Sequence, residues 1–371
     1  MGYENDKRIV LTLDAGGTNF VFSAIQGSNA IVDPFTLPSN AHDLSLCLQT
    51  IVDGFTATKE KLSKEPVAIS FAFPGPADYP LGIIGDLGNL PGFRGGVALG
   101  PMLQAHFKLP VFINNDGDLF VYGEALGGIL PYINALLEAA GSPRRFRNLV
   151  GLTVGTGFGG GIVRNGELFL GDNSAGAEVW LLRNKLDPSL NAEEGASIRA
   201  VQKAYAAKAG IVVDPAQTPK DIYEIATGVR PGNKQAALAA FDRMAEVVGD
   251  ALANVLTLID GLAVIGGGLA GAHSIFLPKL VKEMNTPFIL PDGQQQPRLV
   301  SRIFNLEDDR ERGLFVLGDR KVVKVTGTDI EVTYDPMRRL GVGISRLGTS
   351  KAVSVGAYAI ALNALDNRKT V

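Results

Sequence analysis

Runs of β-branched and aromatic residues alternate along this chain with segments of helical spacing. The first run, residues 8–13, ends at Asp14-Ala15-Gly16-Gly17-Thr18-Asn19; a second, 20–25, follows directly and turns at Gly27-Ser28-Asn29. That order predicts a strand, a glycine-rich turn and a second strand. The same order returns downstream, where 149–154 leads through Gly155-Thr156-Gly157-Phe158-Gly159-Gly160-Gly161 into Ile162-Val163. Asn165-Gly166 then predicts a tight turn. Two copies of one device, each opening about half of the chain, predict a duplicated, two-lobed architecture.

Other short apolar runs, at 67–73, 111–113 and 262–265, read as strands. Helical spacing covers 43–61, 99–107, 119–140 (interrupted by Pro131), 196–209, 219–226, 234–258 and 351–364. The segment 287–297 reads as a loop, and 321–325 with 330–334 as a hairpin about Gly327-Thr328-Asp329. Strands alternating with helices predict the α/β class, with largely parallel pairing outside the hairpins. The expected smaller lobe is 1–117, completed by a closing helix at 350–371; the larger is 118–349, with a hairpin inserted within 287–340.

Composition narrows the function. The chain has 371 residues, 46% hydrophobic and 20% charged, enough to bury a sizeable core. A net charge of −3 gives no broad basic field for nucleic acid. The basic cluster Arg144, Arg145, Arg147 reads as a solvated loop. Cys47 is the single cysteine, and His42, His106 and His273 lie far apart, so neither a disulfide framework nor a zinc site is expected. The N-terminal stretch lacks the apolar core of a signal peptide, and no membrane span is expected. Met1-Gly2 begins like a myristoylation signal, but Asp6 stands where Ser or Thr is required. A cytoplasmic protein is expected.

The chemistry lies in glycine loops and carboxylates. Phosphate needs several convergent N–H donors, which backbone supplies where no Cβ blocks the approach. Three strand-end loops offer them: Gly16-Gly17-Thr18, Gly155 to Gly161, and Gly266 to Gly268. Asp14, beside the first, is a candidate Mg²⁺ ligand or else a turn-initiating cap. No Gly-Lys pair occurs, which removes the P-loop. Gly155-Thr156-Gly157-Phe158-Gly159-Gly160 spells the dinucleotide fingerprint, but a strand follows it where a helix is needed. Asn114-Asn115-Asp116 closes an apolar strand, where a carboxylate either caps the next helix or takes a hydroxyl proton in phosphoryl transfer. Glu178 stands in an apolar stretch, so it is paired or binds something; Glu193 and Glu194 precede a helix.

In this order the motifs resemble the ROK family (repressors, open reading frames and sugar kinases) of the actin-like ATPase superfamily, over most of the chain. Leu13-Asp14-Ala15-Gly16-Gly17-Thr18 resembles its first phosphate motif, and Gly155-Thr156-Gly157-Phe158-Gly159-Gly160-Gly161 the second. Gly266-Gly267-Gly268-Leu269 resembles the adenosine-side motif. Pro74-Gly75-Pro76 and Asn89-Leu90-Pro91-Gly92-Phe93 resemble the sugar-side loops, and Asn115-Asp116 the pair whose Asp is the family's base. The resemblance implies an ATP- and Mg²⁺-dependent sugar kinase, active on a hexose or N-acetylhexosamine, with Asn89, Asn115, Asp116, Glu178 and Glu193 on the sugar. A homodimer is the family's habit.

Three features depart from the pattern. The family's histidine three residues after Glu178 is Leu181 here, the cysteine cluster that binds zinc is missing, and the next family Asn is Asp118. No zinc is therefore expected. Of the rival readings, a repressor needs a winged helix-turn-helix before the first strand, for which little chain remains. A sugar sensor could lose the base or a phosphate loop, both kept here. A general ATPase leaves Asn89 and Asn115-Asp116 unexplained.

Overall fold

The computed structural model describes residues 3–27 and 29–367. Met1-Gly2, Ser28 of the expected second turn and 368–371 of the expected closing helix lie outside them. β1 (Ile9–Ala15) pairs antiparallel with β2 (Asn19–Gln26) across Gly16-Gly17-Thr18, and β2 pairs antiparallel with β3 (Asn29–Pro38). β3 is a strand that the sequence pattern does not announce. Pro34 lies within it, and a proline without an N–H is at home on an edge. The sheet order is β3-β2-β1-β4-β7, with β4 (Ala68–Ala72) and β7 (Val111–Asn114) running parallel to β1.

Between β3 and β4 lies α1 (Leu44–Glu60), capped by the Asp43 side chain, which accepts the Leu46 N–H. Between β4 and β7 lie the short β5 (Ala77–Asp78) and β6 (Ile83–Ile84), then α2 (Leu99–Phe107). Phe55 of α1 packs edge-on or tilted against Phe22 of β2 and Phe71 of β4, and Phe73 packs likewise against Phe71 and Phe93. α3 (Asp116–Gly127) follows β7.

The helix expected over 119–140 with an interruption at Pro131 breaks instead at Gly128, and α4 (Ile129–Ala139) begins there. Pro131 is its third residue, where no intrahelical N–H bond is lost. β8 (Leu149–Val154) pairs antiparallel with β9 (Phe158–Arg164), and β10 (Glu167–Leu168) adds the edge. Three helices follow: α5 (Ile198–Ala209), α6 (Pro219–Thr227) with a Thr218–Asp221 capping box, and α7 (Lys234–Ile259). β11 (Leu262–Gly266) returns parallel to β8 and leads to α8 (His273–Asn285).

The stretch 287–340 holds more than one inserted hairpin. The expected loop contains β12 (Phe288–Ile289) paired with β13 (Gln295–Gln296). β14 (Arg302–Asn305) is the edge of the main sheet, and α9 (Asp309–Leu317) packs on it. The expected hairpin is β15 (Lys321–Lys324) with β16 (Glu331–Tyr334), exposed along both strands. β17 (Arg339–Ile344) then enters the sheet between β11 and β14, giving the order β10-β9-β8-β11-β17-β14. The first five strands of each order follow one plan, an outer strand, a hairpin pair and two further strands in parallel pairing. That is the predicted duplication.

α10 (Thr349–Asn367) closes the chain. Tyr358, Ala361 and Leu362 pack with Val10, Ile25 and Ala68, and Ser70 Oγ donates to the Ala357 carbonyl at 2.7 Å. Two units result: the described parts of Met1–Gly127, Leu168–Gly176 and Ser350–Val371, and then Gly128–Glu167 with Ala177–Thr349. The first boundary falls after α3 rather than at 117, because Leu119 packs with Ala72 and Ala357. Among the described residues one stretch, Asp116–Ala139, is long and apolar enough to cross a membrane; it is α3 plus α4, and more than half of its apolar window is buried in the protein.

Candidate active site

In the first unit the parallel strands end together. Asp14 of β1 stands opposite Ala72 of β4, and Ala72 opposite Asn114 of β7. Ligands of open α/β sheets bind beyond such carboxyl ends. The Gly16 N–H donates to the Asn19 carbonyl at 3.0 Å, and a Cβ on Gly16 would lie 2.9 Å from that same oxygen. The turn therefore demands glycine. A Cβ on Gly17 would come 3.3 Å from the Asn89 carbonyl, so the Gly16-Gly17-Thr18 turn and the Asn89 loop are packed together. Ser39 ties the turn down: its N–H donates to the Thr18 carbonyl at 2.9 Å and its Oγ to the Gly17 carbonyl at 2.7 Å.

Asn89 is exposed in a loop anchored by buried Leu90 and Phe93. Arg94 closes it, donating through Nη1 to the carbonyls of Leu87 and Phe93 at 2.7 and 2.6 Å. Gly75 follows β4, and a Cβ there would sit 3.0 Å from the Tyr79 hydroxyl, which donates to the Phe73 carbonyl.

Asn115 and Asp116 open α3. The Gly117 N–H is shared between Asn115 Oδ1 at 2.8 Å and Asp116 Oδ1 at 2.9 Å. Asn115 thus caps the helix, while Asp116 keeps exposed surface. Its carboxyl pKa is raised above the ordinary 3.8, first by desolvation within the surrounding protein and also by the charge of Asp14; the backbone N–H groups of Gly117 and of Asp116 itself pull the other way.

In the second unit the loops of β8–β9 and β11 meet. The Gly155 N–H donates to the Gly157 carbonyl at 2.9 Å, and the Gly155 carbonyl accepts the Ile198 N–H at 2.8 Å, at the start of α5. Thr156 is exposed at the tip. A Cβ on Gly155 would lie 3.5 Å from the Gly268 nitrogen, and one on Gly159 2.5 Å from Thr153 Oγ1. Gly267 has φ +87°, and its N–H donates to Thr349 Oγ1 at 2.8 Å. A Cβ on Gly268, by contrast, would meet nothing within 4 Å.

Glu193 braces the 155–161 loop. Its Oε2 accepts the Phe158 N–H at 3.0 Å, and its Oε1 takes Arg199 Nη2 at 2.8 Å. A Cβ on Gly157 would lie 2.8 Å from Glu193 Oε2. Glu178 is exposed before a single 3₁₀ turn (Val179–Leu181), and Trp180 Nε1 donates to its Oε2. The Glu178 and Glu193 segments are joined by the Ala192 N–H donating to the Leu182 carbonyl at 2.7 Å. Leu181 is 59% exposed.

Asp14, Gly16, Gly17, Thr18, Gly75, Asn89, Asn115 and Asp116 thus gather on the first unit. Gly155, Thr156, Gly157, Gly159, Gly267, Gly268, Glu178 and Glu193 gather on the second. Ser39, Arg199, Trp180 and Thr349 escaped the sequence reading. Only Thr349, a hydroxyl in Gly348-Thr349-Ser350 at a helix start, gave a usable signal. Among the described residues no group of three or more His, Cys, Asp or Glu is placed to hold a metal. Cys47 is buried, and burial pushes its thiol up to about 11.

The ROK family model matches residues 10–304. The crystal structure of a glucokinase from Parabacteroides distasonis is similar over 98% of this chain and 99% of its own, with 55% identity and a TM-score of 0.90. The glucokinase of Halalkalibacterium halodurans is 25% identical over 304 residues, 75% of this chain and 86% of that protein. The N-acetyl-D-glucosamine kinase of Vibrio atlanticus is 28% identical over 281 residues, 72% of this chain and 87% of that one.

Proposed function

The chain belongs to the ROK family, and we propose that it transfers the γ-phosphoryl group of ATP to a hexose hydroxyl with Asp116 as the general base. It is an ATP-dependent sugar kinase on the duplicated α/β fold of the actin-like ATPases. The observation that carries the assignment of the base is the placement of Asp116. It stands at the carboxyl end of a parallel strand with a raised pKa, and Gly117 holds its Oδ1, leaving Oδ2 to take a proton. As the sugar oxygen bonds to phosphorus, its proton passes to Asp116 and the bond from the γ-phosphorus to the oxygen bridging to ADP breaks.

The remaining roles follow from the donors each loop presents. Gly16-Gly17-Thr18 and Gly155-Thr156-Gly157, with Gly159, are assigned to the phosphates, and Gly267-Gly268 to the adenosine side. Asp14 is an exposed carboxylate beside the first turn, a hard oxygen ligand that fits Mg²⁺, which takes few carboxylates plus phosphates and water. Bound there, Mg²⁺ would offset charge on the phosphates. Gly75, Asn89, Asn115, Glu178 and Glu193 are assigned to the sugar side, with Glu193 reaching it through the loop it braces. Zinc has no place in this scheme, since Leu181 replaces the histidine and no cysteine follows Cys47. The 6-hydroxyl of glucose or N-acetylglucosamine is the proposed acceptor, in the cytoplasm, from a chain that pairs as a homodimer.

The test is ADP formation from Mg-ATP with a panel of hexoses, N-acetylhexosamines and fructose. Glucose or N-acetylglucosamine should raise turnover far above the sugar-free rate. If no sugar does, while one still raises the melting temperature, the protein is a sensor and the proposal is wrong.

A further inference from the structure

Two features that phosphoryl transfer leaves unused meet in the second unit. The cluster Arg144, Arg145, Arg147 is more than a solvated loop: with Arg298, Arg338 and Arg339 it lines one cavity of about 750 Å³. Much of the remaining wall comes from the stretch 287–340, where Phe288, Pro297 and Leu299 supply apolar surface. We propose that this cavity binds a small molecule carrying two or more phosphate groups on a compact body, such as a sugar bisphosphate.

The volume falls within the roughly 300–1,000 Å³ usual for small-ligand sites. The charge is the stronger reason. One carboxylate, Asp260, shares the lining with the six arginines. Behind it, Asp250 faces Arg298 at 3.4 Å, Asp335 holds Arg339 at 2.7 Å, and Glu138 lies 3.9 Å from Arg145. Six cations against four anions leave an excess of positive charge around one concavity. Arg339 itself is sealed from solvent against Asp335 and the Phe315 ring, so the guanidiniums that can meet a ligand are those of Arg144, Arg145, Arg147, Arg298 and Arg338. Guanidinium favours phosphate, whose oxygens match its planar fork two at a time. Arg147 and Arg338 are exposed and placed to close on the ligand. The apolar wall favours a ligand with a carbon body over a bare ion.

The test is calorimetric titration of the full chain with fructose 1,6-bisphosphate, inorganic tripolyphosphate and unphosphorylated fructose. Glucose and a non-hydrolysable ATP analogue are kept at saturation, so that phosphate binding in the kinase site is blocked. Fructose 1,6-bisphosphate should bind at one site, tripolyphosphate should bind, and fructose should not. The double variant Arg147→Glu/Arg338→Glu should weaken the bisphosphate at least about tenfold, or ~1.4 kcal/mol. Arg310→Glu, on α9, should change nothing. Both altered side chains are exposed, so melting temperatures should match that of the wild type. The variant comparison stands even if the sugar and nucleotide assignments fail, since it reads only the arginine cavity. Failure of the bisphosphate to bind the wild-type chain, or equal affinity in the double variant, overturns the proposal.

Discussion

The charge of Asp14 acts on Asp116: it raises the Asp116 carboxyl pKa, adding to the larger effect of desolvation. A base with a raised pKa holds an abstracted proton more firmly, and one carboxylate tunes another across the ends of parallel strands. The acid limb of kcat/KM should therefore lie above pH 3.8, the ordinary aspartate value, and Asp14→Asn should move it down. A pH profile on both proteins checks this; an unmoved limb in Asp14→Asn removes the coupling.

Linkage gives Asp116 a second signature. Its folded-state pKa is raised, so its contribution to stability is complete below the unfolded value and is lost as pH rises through the folded value. Asp116→Asn cannot ionise and escapes that loss. Its melting temperature should exceed that of the wild type at neutral pH, and the gap should close in acid. A gap independent of pH contradicts the raised pKa.

Gly267 and Gly268 are neighbours that should answer differently to alanine. Gly267 has φ +87°, and its Cβ would lie 2.4 Å from the Val154 carbonyl, so Gly267→Ala should cost at least about 2 kcal/mol in denaturant unfolding. Gly268 has open space, so Gly268→Ala should stay within about 0.5 kcal/mol of wild type. If that space belongs to the nucleotide, the KM for ATP should still rise several-fold. An unchanged KM would free Gly268 from the nucleotide assignment.

The glycine devices were legible because their constraint is local: a turn that excludes Cβ must be written as glycine whatever surrounds it. Both strand-turn-strand pairs, the buried β11 and the long α7 could be read for this reason or from their apolar period. β17 was not. Its sequence, Arg-Leu-Gly-Val-Gly-Ile, has weak β character, and its glycines are set by distant neighbours. A Cβ on Gly341 would meet the Leu306 side chain at 2.6 Å, and one on Gly343 the Ile129 side chain at 2.4 Å. β3 was hidden by Pro34, and the break at Gly128 by the more conspicuous Pro131. In the site, the loops and Asp116 were visible as motifs, but the braces were not: Ser39, Arg199 and Thr349 act through contacts that only the fold creates.

Glu193 should behave first as a brace. Glu193→Ala removes the acceptor for the Phe158 N–H and one partner of Arg199, and should cost about 1–3 kcal/mol of stability. Glu193→Gln keeps an acceptor and should lose less. Denaturation curves of the pair decide it; two variants as stable as wild type would leave Glu193 without a structural part.

Asp335 and Arg339 form a buried ion pair at 2.7 Å, with side-chain exposures of 1% and 0%. Burial works against the Asp335 charge. The hydrogen bond from Arg339, the Asp319 N–H, the Arg339 charge and the Met337 N–H outweigh it, holding the carboxyl below the ordinary range. Its stabilisation is present above the unfolded pKa and lost as pH falls through the folded one. Asp335→Asn should cost about 3–5 kcal/mol at neutral pH, less in acid. A cost that does not shrink in acid contradicts the depressed pKa.

The most direct test of the central claim is the turnover of Asp116→Asn with Mg-ATP and the sugar that best stimulates the wild type. Loss of the proton acceptor should lower kcat by about 10²-fold or more. The accompanying melting temperature at neutral pH should be no lower than that of the wild type. Turnover equal to wild type in a folded Asp116→Asn protein would contradict the assignment of the base, and the proposed mechanism with it.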